Sequence, residues 1–181
     1  MQIQRFKGGS RKLTGVVMAC FLAAAGCGRT DTAASEKVFE MGTPTSVGAL
    51  SYNVIDASWR EALVTSTGPR VPAHRFLVLN LSVTNGGAGT LGVPLLTLIG
   101  ADGKEYREED KGEGVSGWMG TIRMVDPALS GQGNILFDVP PGTYKLRVSS
   151  GGDPEKEQTA LINIPLRVDP PSAVGGGDSV A

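Results

Sequence analysis

The chain has 181 residues, 40% of them hydrophobic but only 6% aromatic, with 26 Gly and 11 Pro, which suits one domain with an aliphatic core and flexible ends. The formal net charge is -1, yet residues 1–26 hold Arg5, Lys7, Arg11 and Lys12 and no acid, leaving 13 basic and 18 acidic residues in the remainder. That balance excludes a basic nucleic-acid-binding face.

The four basic residues precede an apolar run from Leu13 to Ala25, which leads through Ala24, Ala25 and Gly26 into Cys27. The run is shorter than the roughly 20 apolar residues of a spanning helix, and its order is that of a targeting segment. Ala24-Ala25-Gly26-Cys27 resembles the lipobox of bacterial lipoprotein precursors, with Ala24 where the family usually has Leu. The resemblance implies a signal peptide over 1–26, lipidation of Cys27 and a mature protein anchored to a membrane of the cell envelope. Gly28 after the cysteine, where Asp would imply inner-membrane retention, implies the outer membrane in a cell that has one. The bland alternative for Cys27 is a disulfide with Cys20, but Cys20 lies inside the apolar run and would leave with the signal. The mature domain then has no free thiol for catalysis and no disulfide.

Residues 27–46 are rich in Thr, Ala, Ser and Gly and read as a flexible tether. Val47 to Trp59 alternates Leu50, Tyr52 and Val54 with polar residues, predicting a strand whose phase is lost near Asp56. Arg60 to His74, broken by Thr67-Gly68-Pro69 and Val71-Pro72, reads as loop. Arg75 to Asn85 follows, with Leu77, Leu79, Leu81 and Val83 on alternate positions and Val78, Asn80, Ser82 and Thr84 between them. A strand sends successive side chains to opposite faces, so this is a central strand with one covered face. Leu96 and Leu98 begin another strand, and Asp102-Gly103 turns it into a hairpin with Lys104-Glu105-Tyr106. Glu108 to Gln132 reads as a long connection. Three more strands carry Ile135, Phe137 and Val139; Tyr144, Leu146 and Val148; and Ala160, Ile162, Ile164 and Leu166. Pro140-Pro141-Gly142 and Gly151-Gly152-Asp153-Pro154 turn the chain between them, and residues 169–181 read as a disordered tail.

About seven strands with turn signals between them and no helix predict an all-β, antiparallel sandwich over residues 47–168, because each sheet alone would expose an apolar face. The run from Val47 to Val148 resembles the telokin-like, immunoglobulin-like domain of bacterial surface lipoproteins, a family without a known activity. The resemblance rests on Val83-Thr84-Asn85, on Leu98 to Tyr106 and on Ile135 to Pro140. Where that family often has Pro-Gly, this chain has Ser130-Gly131-Gln132-Gly133. It implies an immunoglobulin-like sandwich and no catalytic residue.

The candidate chemistry is sparse. His74 is the sole histidine, in a Pro-flanked loop, and no nucleophile-elbow motif accompanies it. Met41, Met119 and Met124 with His74 raise a copper carrier, since thioether and imidazole suit Cu(I), but packing explains methionines equally well. Glu105, Glu108, Glu109, Asp110 and Glu113 raise calcium, but lack the EF-hand spacing and read as a solvated loop. Trp118 in Gly117-Trp118-Met119-Gly120 is either presented outward on glycines or folded back with Ile122 as a plug at one end of the sandwich. The expectation is a non-enzymatic binding or structural module without cofactor, anchored through Cys27. Its protein or envelope-polymer partner would be contacted through Trp118 and Met119, with Glu109 and Asp110 nearby. A periplasmic copper- or calcium-binding protein is the alternative.

Overall fold

A computed structural model describes residues 36–152 and 155–166. Residues 1–35, with Cys20 and Cys27, and the tail from Asp169 lie outside the described residues. In chain order the strands are β1 (Val38–Glu40), β2 (Thr45–Val47), β3 (Leu50–Arg60), β4 (Leu63–Thr65), β5 (Gly68–Arg70) and β6 (Phe76–Asn85). They continue with β7 (Leu91–Gly92), β8 (Thr97–Gly100), β9 (Glu105–Arg107), β10 (Met124–Val125), β11 (Ser130–Asp138), β12 (Tyr144–Ser149) and β13 (Thr159–Ile164). A five-stranded sheet, β1-β13-β12-β8-β9, packs on a four-stranded sheet, β11-β6-β3-β2, and the ribbons β10-β7 and β4-β5 flank them. The protein is an all-β sandwich.

The inner layer follows the alternation of the sequence. Leu77, Leu79, Leu81 and Val83 on β6 are fully buried, and so are Ile135 and Phe137 opposite Leu79 and Leu77 on β11. From the other sheet Leu98, Leu146, Val148 and Ile162 complete the core. The Asp102-Gly103 hairpin joins β8 to β9 with Ile99 opposite Glu105.

Several expectations need correction. The tether expected over 27–46 already contains β1 and β2 in its described part. β1 pairs in parallel with β13, Phe39 opposite Ile162, so the sandwich is not purely antiparallel. The stretch 60–74 is not all loop: β4 and β5 form a small hairpin, Val64 opposite Pro69. β10 and the start of β11 both fall inside the connection expected over 108–132. Leu136 is as buried as its neighbours although it faces outward, because Leu63 and Phe76 join it in a second cluster under the β4-β5 hairpin, with Val78 and Val115 against it. Leu166 lies beyond the end of β13.

One irregularity positions the candidate site. The register of β3 against β6 shifts between Val54 and Asp56, leaving Ile55 45% exposed at a bulge. Strict alternation from Leu50, Tyr52 and Val54 would point residue 56 inward. The extra residue re-aims it, so Asp56 stands opposite Asn80 on the outer face while Ala57 is buried opposite Leu79.

Candidate functional site

The outer face of the four-stranded sheet carries a groove of about 420 Å³, lined among others by Asp56, Ser58, Arg60, Asn80, Ser116 and Asn134. Its floor is a row across three strands, Asp56 opposite Asn80 and Asn80 opposite Asn134. Side-chain amides link along the floor. Gln132 Nε2 donates to Asn80 Oδ1 (3.0 Å), Asn80 Nδ2 to Asn134 Oδ1 (2.8 Å), and Asn134 Nδ2 to the Ser116 carbonyl (2.7 Å).

Two segments build the walls, the β4-β5 hairpin and the connection after β9. Gly114 has φ +80°, and a Cβ there would lie 2.8 Å from the Val64 carbonyl and 2.9 Å from Leu63 Cβ, so only glycine lets the connection lie this close to the hairpin. Arg70 clasps the two together. Its Nη2 pairs with Glu109 Oε2 (2.6 Å), its Nη1 donates to the Lys111 carbonyl (2.7 Å), and its guanidinium lies 5.1 Å from the centre of the Phe76 ring. Further along, Asn134 N–H donates to the Gly117 carbonyl (2.8 Å) and Met119 N–H to the Asn134 carbonyl (3.0 Å), with Glu109 N–H on the Leu136 carbonyl (2.8 Å). The connection thereby occupies the outer edge of β11.

At its base the connection is closed by a buried ion pair. Glu108 opens it and Arg123 ends it, with side chains 0% and 2% exposed. Both terminal guanidinium nitrogens of Arg123 reach the Glu108 carboxylate, Arg123 Nε donates to the Gly120 carbonyl (2.6 Å), and Leu96 N–H donates to Glu108 Oε2 (3.0 Å). Burial pushes the Glu108 carboxyl above its ordinary range, against the pull of Arg123 and of the Leu96 N–H. In the core, Tyr52 is fully buried and donates to the Ser149 carbonyl (2.6 Å); burial raises its phenol strongly.

The residues singled out by sequence fall around this groove in unequal roles. Trp118 is half-buried and not presented outward on its glycines. Its indole lies so close to Gly112 that no side chain fits there, and its Nε1 is buried without a hydrogen-bond partner among the described residues. Met119 packs against the main core. Glu109 is committed to Arg70, and Asp110 is exposed. Ile122, expected beside Trp118 as a plug, is instead 87% exposed. Sequence reasoning did not pick out Asp56, Asn80 and Asn134, each of which reads singly as an ordinary outward-facing polar residue.

Three of the five acids of the run pair with arginines: Glu105 with Arg147 (2.7 Å), Glu108 with Arg123 and Glu109 with Arg70. Among the described residues no three His, Cys, Asp or Glu side chains converge as a metal site. Met41 and Met119 pack against the core while Met124 is 62% exposed. His74 Nδ1 stands 3.7 Å from Asp138 Oδ1, but the Asp138 carboxylate is engaged by the backbone N–H groups of Ala73 (2.6 Å) and His74 (2.8 Å) and serves to hold that loop.

Comparison with known proteins agrees with this architecture. The chain aligns over 68% of its length with a candidate lipoprotein, ycdA, of Bacillus subtilis, at 22% identity and a TM-score of 0.53, and spans only 38% of that protein. It aligns over 70% with the yjhA protein of the same organism, at 12% identity, a TM-score of 0.53 and 98% of that chain. It also aligns over 72% with the secreted protein MPT63 of Mycobacterium tuberculosis, at 18% identity, a TM-score of 0.50 and 99% of that chain. At these identities the likeness is one of fold. No curated protein matches the chain significantly. Residues 39–159 match the family model described as Domain of unknown function (DUF4352), and the chain belongs to that family.

Proposed function

We propose that the protein is an extracytoplasmic lipoprotein whose sandwich is a non-catalytic binding module, held at the envelope through Cys27 and meeting its partner at the groove between the β4-β5 hairpin and the connection after β9. The observation that carries the binding assignment is the groove itself. It is concave, it rests on a four-stranded sheet, and its polar groups are amides, hydroxyls and charged ends. The basic, apolar, small-residue order ending at Cys27 supports the anchor. Trp118 and Met119 contribute by fixing the groove wall to β11, and Glu109 contributes through Arg70.

Two measurements test this reading. Metabolic labelling with an alkyne-bearing fatty acid should mark the wild-type protein and not Cys27→Ser; a mature wild-type protein with an unmodified N-terminus by mass spectrometry refutes the anchor. Full-length protein purified in detergent should sediment with isolated cell-envelope material, and Asn80→Ala should weaken that retention without lowering the unfolding midpoint. Retention indifferent to every groove substitution refutes the groove.

A further inference from the structure

We infer that the groove receives a saccharide, and that the sugar it prefers carries a carboxylate. This rests on the reading of the domain as a binding module. The floor is the row Asp56, Asn80 and Asn134, and its two planar amides are ordered by bonds from Gln132 to Asn80, from Asn80 to Asn134 and from Asn134 to the Ser116 carbonyl, of 3.0, 2.8 and 2.7 Å. A primary amide has two N–H donors and an oxygen with two lone pairs. After these bonds Asn134 retains one N–H and a lone pair on Oδ1, with the Ser58 hydroxyl and the Asp56 carboxylate beside the amides in the lining. Donors and acceptors alternating at fixed spacing match the vicinal hydroxyls of a sugar, each of which both donates and accepts. Because the amides already brace one another, ordering them costs little when a ligand arrives. The volume of about 420 Å³ falls within the roughly 300–1,000 Å³ of small-ligand sites.

The charge preference comes from Arg60. It lines the groove, is exposed, and its side chain has no hydrogen bond or ion pair among the described residues, whereas Arg70, Arg75, Arg123 and Arg147 all have a carboxylate; the other charged group of the lining, Asp56, already has an interaction of its own. A guanidinium presents a planar fork to a carboxylate.

A peptide suits the groove less well. Extended peptides commonly bind by adding a strand to a free sheet edge. On the β11 side that edge is already taken by the Gly117 carbonyl and by the N–H groups of Met119 and Glu109, which leaves a peptide only the short stretch of β3 beyond its pairing with β2.

The test titrates the full-length protein in detergent with two probes of equal length. One is a soluble glycan fragment of alternating N-acetylglucosamine and N-acetylmuramic acid, which carries carboxylates; the other is a chitooligosaccharide, which carries none. The first should bind about fivefold or more tightly than the second. Asn80→Ala and Ser58→Ala should each weaken both by about tenfold, with unchanged unfolding midpoints showing that the sheet is intact. Arg60→Gln should abolish the preference while leaving chitooligosaccharide affinity in place. Failure of both probes to bind at millimolar concentration overturns the inference, as does binding that Asn80→Ala and Ser58→Ala leave undiminished. Envelope retention that persists without binding of either probe removes the saccharide alone and leaves the binding-module reading standing. A preference that survives in Arg60→Gln overturns the role given to Arg60.

Discussion

The buried pair at the base of the long connection offers the sharpest test of how this fold is held. Glu108 and Arg123 are 0% and 2% exposed, so removing one partner strands the other charge in a desolvated site. Such truncations cost about 3–5 kcal/mol. Arg123→Met also loses the bond from Nε to the Gly120 carbonyl, a further ~0.5–1.5 kcal/mol. Glu108→Met leaves both terminal guanidinium nitrogens of Arg123 and the Leu96 N–H without their acceptor. The double substitution Glu108→Met/Arg123→Met removes both charges and most of the desolvation cost. Its remaining penalty is the orphaned Leu96 N–H and the Gly120 carbonyl that loses Arg123 Nε, so it should lie within about 3 kcal/mol of the parent and far below the sum of the singles. Each variant is unfolded in urea at fixed pH and compared by midpoint at constant slope. The expected pattern is two severe single variants and a mild double. Single variants costing less than about 1 kcal/mol, or a double equal to the sum of the singles, would refute the reasoning, since additivity means that the two groups do not act on each other.

Leu79→Ala should cost about 2–5 kcal/mol in chemical denaturation through lost burial and the cavity left behind, whereas Asn80→Ala, on the outer face, should cost far less; equal costs would invert the faces of β6. Trp118→Ala should lower stability by about 1–3 kcal/mol, less than truncation of a fully buried aromatic, because the indole is half-buried against Gly112; hydrogen exchange should speed at the Met119 amide, and an unchanged midpoint would mean that the indole contributes no packing. Tyr52 makes stability fall at alkaline pH. Its folded-state pKa is raised above the ordinary 10.0 by burial, so its contribution is complete below pH 10 and is lost as the unfolded phenol ionises above it. Absorbance titration should find one tyrosine that ionises only as the protein unfolds, and Tyr52→Phe should flatten the alkaline decline.

Much of the inner layer is legible in the sequence because one physical constraint governs it. Leu77 to Val83 and Ile135 to Val139 alternate because each strand has one face against the core. The same rule would turn Leu136 and Phe76 outward to solvent, since it allows each strand a single covered face, and the second cover comes from a hairpin of two three-residue strands whose Thr67-Gly68-Pro69 reads only as a break. β1 escapes notice because three residues of no clear period are held by pairing with the far end of the chain. The groove is invisible for a further reason. Asp56, Asn80 and Asn134 meet only through strand register, and Asp56 faces outward only because of the bulge at Ile55. The loss of phase near Asp56 is the sequence's single trace of it. The acidic run misleads because its partners Arg70, Arg123 and Arg147 are scattered along the chain.

The parallel union of the first and last strands determines how the domain bears mechanical load. Tension applied at residue 36 and directed along β1 pulls it past β13 in shear, so that the rungs at Val38, Phe39 and Glu40 are strained together instead of opening one after another. Side chains reinforce the joint: Asn163 Nδ2 donates to Glu40 Oε1 (2.7 Å), and Arg147 Nε lies 3.4 Å from Glu36 Oε1. Because β13 lies beside β12 and β12 beside β8, traction entering at the N-terminal strand spreads across the five-stranded sheet.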